Sequence, residues 1–411
     1  MTALTSNDVL RPAPGGLKAQ LMERVMALVP FGFRLLRRFW PILRLGRMFV
    51  VTLYDDVSEV FATDTAFGVV YTDNLKVITG GEDFFLGLPD STEYQAQLAA
   101  MRRVVAPSDL PALGDRAEAL AEAIVSASGG RVEVVSLVRR VTFGLIAPYF
   151  GVPEPNQGRL DVWATRLFEY QFTGSPSDTA LRAEVDEIAP AFRAHIDREI
   201  SRRKATPDTT DDVLRRCLNL QAAGEVGYSD LEIRTALLCM VVGGPPQPPI
   251  VVPQAMEQLL RRPGALAAAH DAAVDGRDAN LHDIVLEAMR FDPLAPGLPR
   301  IALKDWTVAR GTKRATVIPR GAKVLAAFAS AMMDERRLPE PQRFKPGRLP
   351  YEYIHFGHGM HECFGRHINH ATLHRMLKPL LRRPGLRRAE GPDGKLRKAG
   401  IFADRLSVLF D

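Results

Sequence analysis

The stretch Tyr353-Ile354-His355-Phe356-Gly357-His358-Gly359-Met360-His361-Glu362-Cys363-Phe364-Gly365, followed by a helical pattern from Arg366, decides how the rest of the chain is read. A thiolate needs its charge stabilised, and a cysteine just ahead of a helix N-terminus receives both the positive end of the macrodipole and nearby backbone N–H donors. Gly357, Gly359 and Gly365 let the backbone fold closely around such a sulfur. As a zinc site, His361 and Cys363 would need two further ligands; His355, His358 and His367 are near, but the spacing matches no familiar zinc knuckle. Against a merely buried cysteine, the density of glycine and histidine around one thiol on a loop argues for an axial ligand to iron.

Around this loop lies a chain of 411 residues, 46% hydrophobic and 25% charged, the composition of a soluble globular protein able to bury a sizeable core. Cys217, Cys239 and Cys363 are too few for a disulfide framework and too widely spaced for a cysteine-only zinc site, which suits a reducing compartment. Residues 1–20 include Arg11, Pro12, Pro14 and Lys18 and hold no continuous apolar run. Neither a signal peptide nor an integral membrane segment is expected, and a cytoplasmic location follows.

The net charge of +5 is concentrated in two runs. From Arg24 to Arg47, arginines including Arg34, Arg37, Arg38 and Arg44 are interleaved with Phe31, Phe33, Phe39 and Trp40, and no acid falls between Glu23 and Asp55. That pattern suits an interfacial amphipathic helix. From Arg366 to Lys398 ten Lys or Arg residues meet only Glu390 and Asp393, which would attract an acidic protein or nucleic acid. A solvated face is the plainer reading of both runs, and no helix-turn-helix, zinc-finger or RNA-recognition signature supports nucleic acid.

No repeat and no low-complexity tract appears. Apolar residues at three- and four-residue intervals predict helices over 117–127, 158–172, 179–204, 230–242, 251–262, 280–291 and 366–381. Short β-branched or alternating runs at 49–53, 306–308, 315–318 and 323–328 predict strands, with Pro319-Arg320-Gly321 as a turn. A mainly α fold with small β-sheets is expected, an α+β chain forming one domain over residues 1–411. Within it, Gly243-Gly244-Pro245-Pro246-Gln247-Pro248-Pro249 interrupts an apolar helix, because each interior proline costs roughly 3 kcal/mol. A helix broken inside a core marks the wall of a site.

The pattern Phe356-Gly357-x-Gly359-x-His361-x-Cys363-x-Gly365 resembles the heme-binding signature of the cytochrome P450 family. Glu287-Ala288-Met289-Arg290 is similar to that family's E-x-x-R helix, and Glu340 to Phe344 to the segment that supplies Arg343 as third member of a structural ion-pair triad with Glu287 and Arg290. The resemblance implies a cytochrome P450 fold, with heme b (iron protoporphyrin IX) between the central helix and the helix after Cys363. It further implies Cys363 as the iron ligand, Arg300 and His361 on the heme propionates, Tyr94 and Arg102 as weaker propionate candidates, and His355, Phe356 and Gly365 in the cofactor loop. Cationic donors are apt partners for carboxylates.

The family's central helix carries small residues and then an acid-alcohol pair that relays protons. By position Gly243 and Gly244 take the small places, while Pro246 replaces the acid and Gln247 the alcohol. Proline has no side-chain donor, and an amide does not exchange protons near neutral pH as a carboxyl can. Three functions follow: a monooxygenase hydroxylating or epoxidising an apolar small molecule, with electrons from a ferredoxin-type partner on the basic face Arg366 to Lys398; a peroxide-dependent peroxygenase or hydroperoxide-rearranging enzyme; or a heme protein without turnover. Gly243, Gly244 and Gln247 are the catalytic candidates. Phe84, Phe85, Leu86, Val242, Leu294, Ala295 and Phe402 are expected to line an apolar substrate pocket, each with core packing as the alternative. No arginine stands beside Gly244 to receive a fatty-acid carboxylate.

Overall fold

The computed structural model describes residues 9–11, 17–175, 177–206 and 209–411, and of residues 17–27 the helix without its side chains. The reading of residues 1–20 as free of a leader falls largely outside the described residues. In chain order, α1 (Leu17–Phe39) leads to β1 (Ile42–Leu45), β2 (Met48–Val51), α2 (Tyr54–Ala62), β3 (Phe67–Gly68), α3 (Thr72–Thr79), α4 (Thr92–Val104), α5 (Leu110–Ser126), β4 (Arg131–Glu133) and α6 (Val134–Tyr149). Next come α7 (Leu160–Phe172), α8 (Thr179–Ala205), α9 (Val213–Ala222), α10 (Asp230–Gly243), α11 (Pro248–Leu260), α12 (Pro263–Val274) and α13 (Asp278–Phe291). After β5 (Leu298–Ala302), β6 (Trp306–Val308), β7 (Thr316–Ile318), β8 (Lys323–Ala326) and α14 (Phe328–Ala331), the thiol loop leads into α15 (Arg366–Leu381). β9 (Arg387–Arg388), β10 (Arg397–Ala399), β11 (Phe402–Arg405) and β12 (Ser407–Leu409) end the chain.

The mainly helical architecture with small sheets agrees with the apolar periodicity. The expected turn at Pro319-Arg320-Gly321 joins β7 to β8, which belong to different sheets. The five-stranded sheet runs β1-β2-β8-β5-β3, with β2 and β8 parallel and the other neighbours antiparallel. Its core of Phe49, Val51, Phe61, Val324 and Phe328 is separate from the larger helical core, in which Val138, Leu145, Val252, Met256, Leu377 and Leu381 are buried. α15 lies directly on α5, because a Cβ on Gly114 would stand 3.0 Å from the Ala371 carbonyl oxygen. That close approach fixes the axis along which Cys363 is presented.

Asp230–Leu260 is long and apolar enough to cross a membrane by composition, but 78% of its most apolar window is buried inside the fold. It is the central helix pair α10 and α11, interrupted where the prolines predicted.

Under the thiol loop, Glu287 of α13 has no exposed surface. Arg290 Nη2 and Nε donate to its two carboxylate oxygens at 2.7 and 2.9 Å, the Lys345 backbone N–H at 2.8 Å and the Tyr353 hydroxyl at 3.2 Å. The third member of the triad is Arg348, not Arg343. Arg348 Nε is 3.3 Å from Glu287 and Nη1 3.2 Å from Glu352, whereas the exposed Arg343 side chain faces Glu340 at 3.3 Å and offers only its carbonyl to the network. Geometry explains the difference: residue 343 sits before the chain turns inward at Lys345, and residue 348 after it. Removing one partner of a buried ion pair leaves an uncompensated charge, at about 3–5 kcal/mol. Arg348→Met is therefore expected to lower stability by about that much in guanidinium denaturation, and Arg343→Ala by less than about 0.5 kcal/mol.

Candidate functional site

The thiol loop is built backbone first. The Cys363 N–H donates to the Phe356 carbonyl at 2.8 Å, and Gly357 and Gly359 turn the intervening chain with φ of 75° and 76°. A Cβ on Gly359 would stand 2.6 Å from the Phe61 carbonyl oxygen, so the loop can rest on α2 only with glycine there. Gly365 has an ordinary φ of −77°, and a Cβ on it would lie 3.8 Å from Cys363 Sγ, so steric demand does not require it. It is the N-cap of α15. Burial raises the Cys363 thiol to about 11, and backbone hydrogen bonding from Gly365 and Arg366 at the start of α15 opposes it by favouring the thiolate. A helix start with two N–H donors on one sulfur is an anion site awaiting a cationic partner.

Two nearby cationic or ring donors lack partners. Arg300, on β5, is 4% exposed, yet among the described residues it makes no salt bridge; Nη1 donates to the Pro299 carbonyl at 3.0 Å and the guanidinium lies 4.9 Å from the Phe61 ring centre. His361 Nδ1 is buried without a hydrogen-bond partner, and burial, then the Arg300 charge, lowers its pKa to about 4. Both await an anion.

The other loop and α4 candidates are placed differently from expectation. His355 Nε2 meets the Leu286 carbonyl at 3.0 Å and its ring stacks on Tyr353, so it ties the loop to α13. The Tyr94 hydroxyl donates to the Met360 carbonyl at 2.8 Å, tying α4 to the loop. Arg102 is exposed at the rim of a cavity of about 390 Å³ beside Cys363, which Phe85, Tyr94, Phe364 and Arg366 also line. Phe356 packs on His370 with centroids 5.1 Å apart.

In the central helix the prolines leave carbonyls of α10 without N–H partners, and Gln247 turns back: its Nε2 donates to the Gly243 carbonyl. A Cβ on Gly243 would meet nothing within 4 Å, so open space faces this residue, whereas one on Gly244 would stand 2.9 Å from the Met240 carbonyl oxygen. Of the expected pocket lining, Val242 has no exposed surface and belongs to the helical core. Phe84 packs on Phe85 at 4.5 Å, and Phe85 turns to Phe364 at 5.6 Å, lining the thiol cavity. Leu86, Leu294 and Ala295 are half-buried. Phe402 begins an aromatic chain, 6.1 Å to Phe168, 4.9 Å on to Phe172 and 5.0 Å to Tyr71.

Tyr71, Asp64 and Arg348 escaped the sequence reading. Tyr71 donates to the Leu86 carbonyl at 3.0 Å; burial raises its hydroxyl to about 12, with the Arg300 charge opposing and Cys363 adding to the shift. Asp64 is close enough to Arg300 to feel its charge, while burial holds its carboxyl above the usual range. None of the three sits in a recognisable sequence pattern.

The basic run 366–398 is not an open positive face. Arg375 pairs with Asp115 at 2.5 Å and Asp278 at 2.9 Å, Lys378 with Asp278 at 2.7 Å, Arg388 with Glu257 at 2.6 Å and Lys398 with Asp292 at 2.8 Å. Arg382 pairs with Glu118, Arg383 with Glu122 and Arg397 with Asp404. Beyond its own Glu390 and Asp393, the run meets carboxylates from α5, α11, α13, Asp292 and β11.

The family model for cytochrome P450 matches residues 164–387. The chain belongs to the cytochrome P450 family. Mycinamicin IV hydroxylase/epoxidase of Micromonospora griseorubida is 27% identical over 282 residues, 67% of this chain and 66% of that protein. A bifunctional dioxygenase-epoxy alcohol synthase of Pyricularia oryzae is 34% identical over 121 residues, 29% of this chain and 10% of that protein. The ligand-free structure of cytochrome P450 TbtJ1 superposes with a TM-score of 0.76 at 23% identity, covering 94% of this chain and 98% of that one. This cytochrome P450 is thus a member of an oxidoreductase family of heme-dependent monooxygenases whose cofactor is heme b. The unpaired buried Arg300, the orphaned His361 Nδ1 and the N–H pair at Cys363 fit that dianionic, iron-bearing group. Gly359→Ala must displace the loop from α2; it is expected to cost roughly 1–3 kcal/mol in thermal or denaturant unfolding and to lower the heme-to-protein absorbance ratio on purification.

Proposed function

We propose that this P450, read as one heme-thiolate domain over residues 1–411, hydroxylates or epoxidises an apolar small molecule with dioxygen and electrons from a ferredoxin-type partner. The presentation of Cys363 at the start of α15, with two N–H groups on its sulfur, carries the reading. When bound, heme b supplies thiolate-ligated iron competent for oxygen insertion into C–H or C=C bonds. Cys363 gives the thiolate, Gly365 and Arg366 hold its charge, and Arg300 and His361 receive the propionates. Gly243, with open space beside it, would leave room for the cofactor, and Leu294, Ala295, Phe168 and Phe402 are the apolar side chains that would favour an apolar substrate. The matched relative named for mycinamicin IV supports a hydroxylation or epoxidation chemistry. Electrons enter on the thiol side, where the exposed Arg102 rims the cavity beside Cys363, rather than over the neutralised run 366–398. All three cysteines are free, which supports the cytoplasmic reading.

A second reading has its own observation. Gln247 is engaged with the Gly243 carbonyl and Pro246 has no donor, so neither residue carries a proton to bound oxygen. An enzyme that takes a peroxide, or rearranges an organic hydroperoxide, needs no such carrier, and the similarity to part of the bifunctional dioxygenase-epoxy alcohol synthase of Pyricularia oryzae is compatible with it.

Replacing the thiol in Cys363→Ser is expected to move the Soret band of the ferrous carbon monoxide complex away from its thiolate position; an unchanged band refutes the ligand assignment. Turnover of an apolar substrate panel, run with a ferredoxin, its reductase and NADPH in one arm and hydrogen peroxide alone in the other, separates the two readings. Product only with the redox chain supports the monooxygenase, and product with peroxide alone supports the second. Gln247→Thr is expected to bring no gain in reductase-coupled turnover, because a threonine hydroxyl in a helix can bond the same i−4 carbonyl and Pro246 still lacks an acid.

A further inference from the structure

The two basic runs have opposite fates. In the run 366–398 the cations meet carboxylates, but among the described residues Arg34, Arg38, Arg44 and Arg47 make no salt bridge, and no acid lies between Glu23 and Asp55 in sequence. Arg44 donates to the Gly46 carbonyl and Arg47 lies 3.4 Å from the Arg320 carbonyl, neither of which cancels charge. The positive field around α1 and the following hairpin is therefore uncompensated.

α1 also carries two apolar faces. The inner one, Val29, Phe33 and Leu36, packs against Val50, Leu325 and Ala327, and Arg37 locks it down by donating to the Ser330 hydroxyl at 2.9 Å and carbonyl at 3.2 Å. The outer one repeats at three- and four-residue steps: Leu28, Phe31, Leu35 and Phe39 are 62%, 60%, 41% and 58% exposed, and Trp40 at the helix end is 62% exposed. Four large side chains on one stripe, with Arg34 and Arg38 beside it, leave an apolar surface that none of the described residues covers. Because the inner face is fixed, the helix cannot roll to hide the outer one.

We infer that this stripe is an interfacial docking face for an anionic phospholipid bilayer, with the apolar side chains entering the headgroup boundary and Arg34, Arg38, Arg44 and Arg47 meeting lipid phosphates. Arginines around Trp, Phe and Leu on one face suit an amphipathic helix lying in the plane of such a surface. A second copy is a poorer occupant: a two-fold contact brings the same patch onto itself and sets like charges against like. The inference rests on the surface of α1 and is independent of the reaction proposed for the site.

Purified holoenzyme sedimented with vesicles of phosphatidylcholine containing phosphatidylglycerol is expected to bind, with a blue shift in emission that Trp40→Phe removes, and to bind pure phosphatidylcholine vesicles far less. Phe31→Ser with Phe39→Ser, and separately Arg34→Glu with Arg38→Glu, are each expected to weaken partition by about tenfold or more. The substituted side chains face away from the core, so thermal unfolding and the heme spectrum stay unchanged; should the serine pair fold poorly, the glutamate pair decides. Absence of vesicle binding, or binding that neither pair weakens, overturns the inference. So does a dimer in sedimentation velocity that the serine pair abolishes, since it assigns the stripe to a second copy.

Discussion

Glu287 is the charge on which the site depends. A carboxylate with no exposed surface is tolerable only when every oxygen is occupied, and its donors come from α13 itself, from the segment 345–353 and from the start of the thiol loop. Those elements share the helical core, where Phe344, Tyr353 and Phe356 pack against buried residues that include Leu286 and Met289, but apolar packing alone does not set their polar geometry. They converge because each supplies a donor that the buried charge requires, and desolvation makes any incomplete set costly. The His355 ring, bonded to the Leu286 carbonyl one residue before Glu287, extends the same anchorage to the loop. Neutral imidazole suits that role, and burial keeps His355 neutral by lowering its pKa to about 3. Cys363 inherits its position from this network and from the contact of α15 with α5.

The distal side follows a different logic. Prolines withdraw N–H donors from the middle of a core helix, and the backbone must find replacements or leave carbonyls bare. Gln247 provides one by folding its amide onto Gly243, four residues back. The residue that by alignment stands where the family places an alcohol is therefore engaged in repairing its own helix. Its own backbone N–H, the helical partner of the Gly243 carbonyl, goes instead to the Gly244 carbonyl at 3.2 Å, and one N–H of the side-chain amide takes its place.

Much of this was legible in the chain. The loop around Cys363, the helical periods and the break at 244–249 each rest on local physics, and local physics survives folding. Arg343 and Arg348 could not be told apart that way, because both lie in a segment without regular structure and only the inward turn at Lys345 decides which guanidinium reaches Glu287. Tyr71 and Asp64 were invisible for a related reason: their relation to Arg300 and Cys363 exists only across elements far apart in sequence. His355 and Tyr94 were expected to serve the cofactor, but what each polar atom meets depends on carbonyls whose direction no spacing encodes.

Charge shows the same limit more sharply. Counting residues made 366–398 the more basic of the two runs, but a count along the chain cannot see Asp115, Glu118, Glu257 or Asp278 arriving from other helices. Once all of these cations but Lys395 have a carboxylate at contact distance, little field extends beyond a Debye length of about 8 Å, so that run steers a charged partner weakly. The shorter run on α1 has fewer such visitors: Asp334 and Glu335 reach Arg37 with their charge, but Arg34, Arg38, Arg44 and Arg47 form no ion pair with the described residues. Net charge constrains the sum, whereas pairing decides where that sum is felt, and Arg34, Arg38, Arg44 and Arg47 on α1 and its hairpin and Arg102 beside the thiol are among the cations that make no salt bridge with the described residues.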